Sequence, residues 1–115
     1  MTDLKRIDDQ LNEMTAAGKI LEALETFYAD DCTFQEGADE PRVGRETQRK
    51  HLAGFFATLK AFNGAVLHSQ GVGDGVTLTE WTFDMVGPEG PIVWHEILRR
   101  RWKDGNVISE RYYTA

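Results

Sequence analysis

The sequence predicts an α+β domain in which N-terminal helices pack on one face of a curved antiparallel sheet. Three observations carry this. Helical periodicity is confined to the residues before Asn63, strand-like alternation fills the rest, and turn signals divide that second part. Helices first and strands later is the order of α+β proteins, not of alternating βαβ units.

Leu4, Ile7, Leu11 and Met14 recur at steps of three and four, which is one face of a helix, and Gly18 is its natural stop. Ile20, Leu21, Leu24, Phe27 and Tyr28 form a second stripe, which Asp30 and Asp31 end. Thr33 to Glu36 reads as a short strand, and Gly37 to Gly44, containing Pro41, as a polar loop. A third helix starts near Arg45, carries Leu52, Phe55, Phe56 and Leu59 on one face, and stops at Asn63-Gly64.

Four strands follow: Ala65 to Val72, Val76 to Val86, Ile92 to Lys103, and Val107 to Thr114. Gly73-Asp74-Gly75, the Gly87 to Pro91 stretch and Asp104-Gly105 join them, and the last is a strong hairpin dipeptide. The result is an antiparallel meander, to whose edge the early strand adds. Alternation puts Thr77, Thr79, Trp81, Phe83 and Met85 on one face of the second long strand, and their bulk directs that face to the helices. Trp94, Glu96, Leu98, Arg100 and Trp102 share a face of the third, and Ile108, Glu110 and Tyr112 a face of the fourth.

A chain of 115 residues has the length of one domain, expected to span 1–115. Thirteen basic residues against nineteen acidic ones leave a net charge of −6, which repels phosphate backbones and argues against a nucleic-acid partner. Cys32 is the only cysteine, so no internal disulfide forms, and its acidic neighbour disfavours a thiolate nucleophile. The start, from Met1 to Arg6, shows no leader pattern, and no apolar run approaches ~18 residues, so no membrane partner is expected. A cytoplasmic location is the corresponding expectation. His51, His68 and His95 lack metal-ligand spacing, and no phosphate loop, dinucleotide fingerprint or serine elbow occurs. No metal and no cofactor are therefore expected. His95 falls with Val93 and Ile97 on the outward face, and Arg99-Arg100-Arg101 reads as charge balance for Glu80, Asp84 and Glu110.

Phe27-Tyr28-Ala29-Asp30-Asp31-Cys32-Thr33-Phe34, followed by Glu40-Pro41-Arg42-Val43-Gly44 and later by Asp104-Gly105-Asn106-Val107, resembles the nuclear transport factor 2-like (NTF2-like) superfamily, in its SnoaL-like and ketosteroid-isomerase-like branch. The resemblance spans nearly the whole chain. It implies a cystatin-like cone, with three helices on a strongly curved antiparallel sheet, a pocket between the two layers, and a homodimer through the outer sheet face. Enzymes and non-catalytic proteins share this fold, so the fold does not fix the function.

Carried over by position, the general base of ketosteroid isomerases lands on Glu36. Their oxyanion-stabilising tyrosine and protonated aspartate fall near Leu11 and Leu98, which donate no hydrogen bond. The Arg-x-Asp pair of limonene epoxide hydrolases falls on Trp81 and Phe83, and their last-strand aspartate near Tyr112. Both reactions thus lose their usual partners.

Glu36, as base, and Tyr112 and Glu96 are the candidate catalytic residues; an apolar cavity raises a carboxyl pKa toward neutrality. The plainer alternatives are a solvated strand-end carboxylate for Glu36, a core cap for Tyr112, and pairing with Arg100 or Arg111 for Glu96 and Glu110. The expected pocket lining is Trp81, Phe83, Trp94, Leu98, Glu110, Phe56 and Leu11, with core packing as the alternative for the aromatic groups. The expected ligand is a small apolar molecule. Either it undergoes a proton-transfer isomerisation or cyclisation as a carbonyl compound, or the domain is a non-catalytic binding or dimeric interaction module.

Overall fold

The computed structural model describes residues 3–114. Met1, Thr2 and Ala115, the ends of the expected 1–115 span, lie outside the described residues, and with Met1 and Thr2 so does part of the stretch expected to carry no leader pattern. Asp3 caps α1 (Leu4–Ala16), its carboxylate accepting the Arg6 N–H at 3.2 Å. Gly18 closes the helix at φ +79°, which lets the Lys19 N–H reach back to the Met14 carbonyl at 2.9 Å. Then come α2 (Ile20–Phe27), β1 (Tyr28–Glu36), β2 (Arg42–Val43) and α3 (Arg45–Thr58). The meander is β3 (Ala61–Val72), β4 (Val76–Gly87), β5 (Gly90–Lys103) and β6 (Asn106–Thr114).

The α+β class and the meander hold, but the cone does not. The six strands lie in the order β2-β1-β6-β5-β4-β3, an open sheet whose end strands do not pair, so it does not curl round on itself. It is also mixed, because β1 runs parallel to β6. Hairpin neighbours must be antiparallel, whereas β1 and β6 are joined only through the rest of the chain and are free to run the same way. Beyond β1 the sheet ends in the two-residue β2, too short to carry the edge round to β3.

Element boundaries shift in two informative places. Tyr28 reads as the end of the second helical stripe, yet it is the first residue of β1, and its buried ring stacks on Phe34 at 5.7 Å. Asn63-Gly64, expected to stop α3, lies inside β3, where the register with β4 slips and Gly64 takes φ +150°.

On β4 the inner face is Thr77, Thr79, Trp81, Phe83 and Met85, every one buried. On β6 the alternation breaks. The β5–β6 register slips between Arg101 and Trp102, so the fully buried residue is Val107, and Ile108 is turned out to solvent. The core forms two clusters. One joins α1, α2 and β1 to Trp102 and Val107; the other joins Trp81, Phe83, Met85 and Leu98 to Phe55, Leu59 and Phe62. Tyr112 packs against both.

Candidate functional site

A cavity of about 370 Å³ separates the helices from the inner sheet face. Leu11, Ala23, Leu24 and Phe34 give it buried apolar wall, and Phe56, Phe83, Met85 and Leu98 continue that wall across α3, β4 and β5. The exposed residues Glu36, His51 and Trp94 stand where it meets solvent, and Trp94 stacks on Phe55 of α3 at 5.0 Å. Such a chamber, mostly apolar with a few polar groups, is the ordinary form of a small-molecule site.

Nine of the ten residues picked out from the sequence line this cavity: Leu11, Glu36, Phe56, Phe83, Trp94, Glu96, Leu98, Glu110 and Tyr112. Trp81 does not. It is wholly buried in the second core cluster, stacked on Phe83 at 5.5 Å, and its indole N–H donates to Thr79 Oγ1 at 2.9 Å. It lies on the inward face, but it is packed into the core with Phe83, Met85 and Leu98.

Beneath the cavity lies a buried ionic network. Asp8 on α1 and Arg100 on β5 are 0% and 1% exposed, and Arg100 Nη1 donates to Asp8 Oδ1 at 2.9 Å and to Asn12 Oδ1 at 2.6 Å. Thr77, Asn12 and Gln70 also donate to the Asp8 carboxylate. Arg100 Nε donates to Glu110 Oε2 at 2.9 Å. Glu110 accepts two phenols as well, Tyr28 at Oε2 and Tyr112 at Oε1, the latter at 2.5 Å. Burial, and then the charge of Glu110, raise both phenol pKa values well above the usual tyrosine range. Burial opposes the charge on Arg100, but Tyr28, Glu110 and Asp8 outweigh it and hold the guanidinium protonated.

The chain of contacts continues outward. Gln48 on α3 donates to the Tyr112 hydroxyl at 3.3 Å, and Arg42 Nε donates to Gln48 Oε1 at 2.8 Å. The other two nitrogens of Arg42 grip Glu36, at 2.5 and 3.0 Å. Glu36 thus sits at the mouth with both oxygens held by a fork.

Glu96 is different. It is half-buried on the β5 wall beside Trp94 and Leu98, and among the described residues it has no hydrogen bond or ion pair. Arg111, one of its expected partners, donates instead to the Gly37 carbonyl and lies over the Tyr113 ring. Arg100, the other, is taken by Glu110 and Asp8. Burial first, and then the charges of Glu110 and Glu36, push the Glu96 carboxyl up to about 7. It can therefore both take and give a proton near neutral pH.

Cys32 is buried, and burial, then Glu110 and Asp31, push its thiol up, so it is no nucleophile. His95 is exposed on the outer face, where its Nδ1 shares the Thr82 hydroxyl with His68. The parts not picked out from the sequence are Asp8, Asn12, Tyr28, Gln48 and His51. Asp8 did carry a signal: four residues after Leu4 and three before Leu11, it lies on the apolar stripe of α1, where a carboxylate needs a partner.

The model of the SnoaL-like domain matches residues 9–110. The chain belongs to the SnoaL-like family. No curated protein matches it. Among solved structures, this SnoaL-like chain is similar to a Mesorhizobium loti protein provisionally assigned as a SnoaL-like polyketide cyclase, at 20% identity and TM-score 0.86 over 98% of this chain and 99% of that one. It is similar to an LEH-like epoxide hydrolase of M. tuberculosis at 14% identity and TM-score 0.76, over 96% and 80%. A third similar structure, at 19% identity and TM-score 0.74 over 89% and 82%, is a hypothetical Catenulispora acidiphila protein with a ketosteroid isomerase-like fold, in complex with trimethylamine. Among the described residues of the SnoaL-like domain, no helix is long and apolar enough to cross a membrane.

Proposed function

We propose that the cavity binds a small apolar carbonyl compound and moves a proton on it, with Glu96 taking up and returning that proton. The observation that carries this is a carboxyl with no partner among the described residues, between Trp94 and Leu98 on a mostly apolar cavity wall and pushed up to about 7 by burial. The Glu96 carboxylate removes a proton from the carbon next to the carbonyl. The C–H electron pair becomes a C=C bond, and the carbonyl π pair moves onto oxygen as an enolate. Return of the proton at another carbon gives an isomer; attack of the enolate carbon on a second carbonyl gives a ring. The polyketide cyclase assignment of the Mesorhizobium loti protein and the ketosteroid isomerase-like fold of the Catenulispora acidiphila protein support this reaction class.

Glu36 stands second as the base, because Arg42 already occupies both its oxygens. Deuterium uptake by α-tetralone in heavy water separates the two. Glu96→Gln is expected to abolish catalysed uptake while α-tetralone still binds. Full uptake in that variant, with loss only in Glu36→Gln, moves the base to Glu36.

A second reading, binding without conversion, is favoured by one observation. The Tyr112 hydroxyl donates to Glu110 and the Trp81 indole to Thr79, so neither of these donors is free to stabilise an oxyanion. Saturable binding of α-tetralone with no uptake above buffer supports it. We also propose a homodimer through the outer sheet face, where Val66, Leu78 and Val93 are 57%, 44% and 50% exposed. Sedimentation at rising concentration tests this, and a persistent monomer refutes it.

A further inference from the structure

The guanidinium of Arg100 is almost fully buried, and most of its donors are accounted for. Nε is bound to Glu110, and Nη1 to Asp8 and Asn12. Nη2 has no hydrogen-bond partner among the described residues, yet it is not one of the sealed, unsatisfied polar atoms, and Arg100 lines the cavity. A buried, charged donor without an acceptor is costly unless something supplies one.

We infer that Nη2 of Arg100 is the anchor for the carbonyl oxygen of a neutral ligand in the SnoaL-like cavity. The anchor rests on the reading that the cavity holds a carbonyl compound, and not on Glu96 being a base. Asp8 and Glu110 fix the guanidinium from behind, so it presents a preset N–H and loses little freedom on binding. The same two carboxylates, with Glu96 on the wall, select for charge. A ligand carboxylate would meet the two carboxylates already on the guanidinium, whereas a ketone or ester oxygen meets only the donor. The specificity of the site is thus for an uncharged acceptor within an apolar skeleton. As the enolate forms, the same N–H faces the oxygen that gains charge.

The test uses ligands with one shared skeleton: benzophenone, diphenylmethane, diphenylacetate and the benzhydrylammonium ion. Benzophenone has no hydrogen on a carbon next to its carbonyl, so Glu96 has no proton to move, and its binding reports on the anchor alone. Benzophenone is expected to bind wild-type protein on the order of tenfold more tightly than diphenylmethane, the ordinary gain from a hydrogen bond to a charged donor. It alone should shift the Arg100 guanidinium resonances in nitrogen-edited NMR. Arg100→Lys should erase the preference and keep diphenylmethane binding; if that variant does not fold, the wild-type affinities and resonances still decide. Equal binding of ketone and hydrocarbon, or unmoved Arg100 resonances, overturns the anchor. Tightest binding by diphenylacetate makes the site an anion receptor, and by benzhydrylammonium one ruled by its carboxylates; either refutes the proposal. Failure of all four to bind refutes the cavity reading beneath it. Loss of α-tetralone exchange in Glu96→Gln with no ketone preference would retain the base and remove the anchor.

Discussion

Glu110 and Glu96 are the same residue type on neighbouring strands, lining the same cavity, and they have opposite surroundings. Glu110 accepts two phenols and a guanidinium, so its charge is satisfied by groups of this chain. Among the described residues Glu96 receives no such donor, and burial pushes it toward neutrality. The difference teaches that burial alone does not mark a functional carboxyl. What marks it is burial without a partner from the fold, because that shortfall is left for a ligand to fill.

The comparison is broken most severely by cutting the satisfied side. Asp8→Ala or Glu110→Ala leaves Arg100 short of a counter-charge in the interior, and each should cost about 3–5 kcal/mol of stability, read from urea unfolding at pH 7. A loss within about 0.5 kcal/mol of wild type, the range of ordinary surface substitutions, would mean that the network is wet.

Changing the unsatisfied side should do the reverse. The folded pKa of Glu96 lies above the ordinary 4.5, so the folded state binds its proton more tightly than the unfolded chain does. The resulting penalty is absent below about 4.5, grows as pH rises toward about 7, and is constant above. Glu96→Gln should therefore stabilise the protein by about 1–3 kcal/mol at pH 8 and leave it near wild type at pH 4. Equal effects at both values would detach Glu96 from this account.

Trp94→Ala sharpens the comparison at the rim. It removes the stack on Phe55, and benzophenone binding measured by calorimetry should weaken by about 0.5–1.5 kcal/mol. Glu36→Gln should have the smallest effect, about 0–1 kcal/mol on stability, because the carboxylate that Arg42 holds is at the surface.

How much of this was legible in the sequence follows from where period and chemistry agree. On β4 the alternation is unbroken, and Thr77 to Met85 face inward as the pattern dictates. On β6 one slipped register exchanges Ile108 for Val107, and a local bulge leaves no mark in hydrophobic periodicity. Tyr28 fits the second helical stripe equally well, and only its packing on Phe34 and its bond to Glu110 show it as a strand residue. Hairpin signals are local and point to a wholly antiparallel sheet, whereas the parallel pairing of β1 with β6 is set by tertiary packing. Within the site, Arg100 with Glu110 was foreseeable as a pair one strand apart. Its second partner, Asp8, lies 92 residues away, and no spacing rule links the two. Glu96 was legible as a carboxyl among bulky groups, but its lack of a partner was not, because that depends on where Arg100 and Arg111 spend their donors.

The most direct test of the central claim is the titration of the Glu96 side-chain carboxyl in the wild-type protein, followed by carbon-detected NMR. A midpoint near 7 is expected, moving when a carbonyl ligand fills the cavity. A midpoint near the ordinary 4.5, unchanged by ligand, would contradict it and leave Glu96 as a solvated side chain.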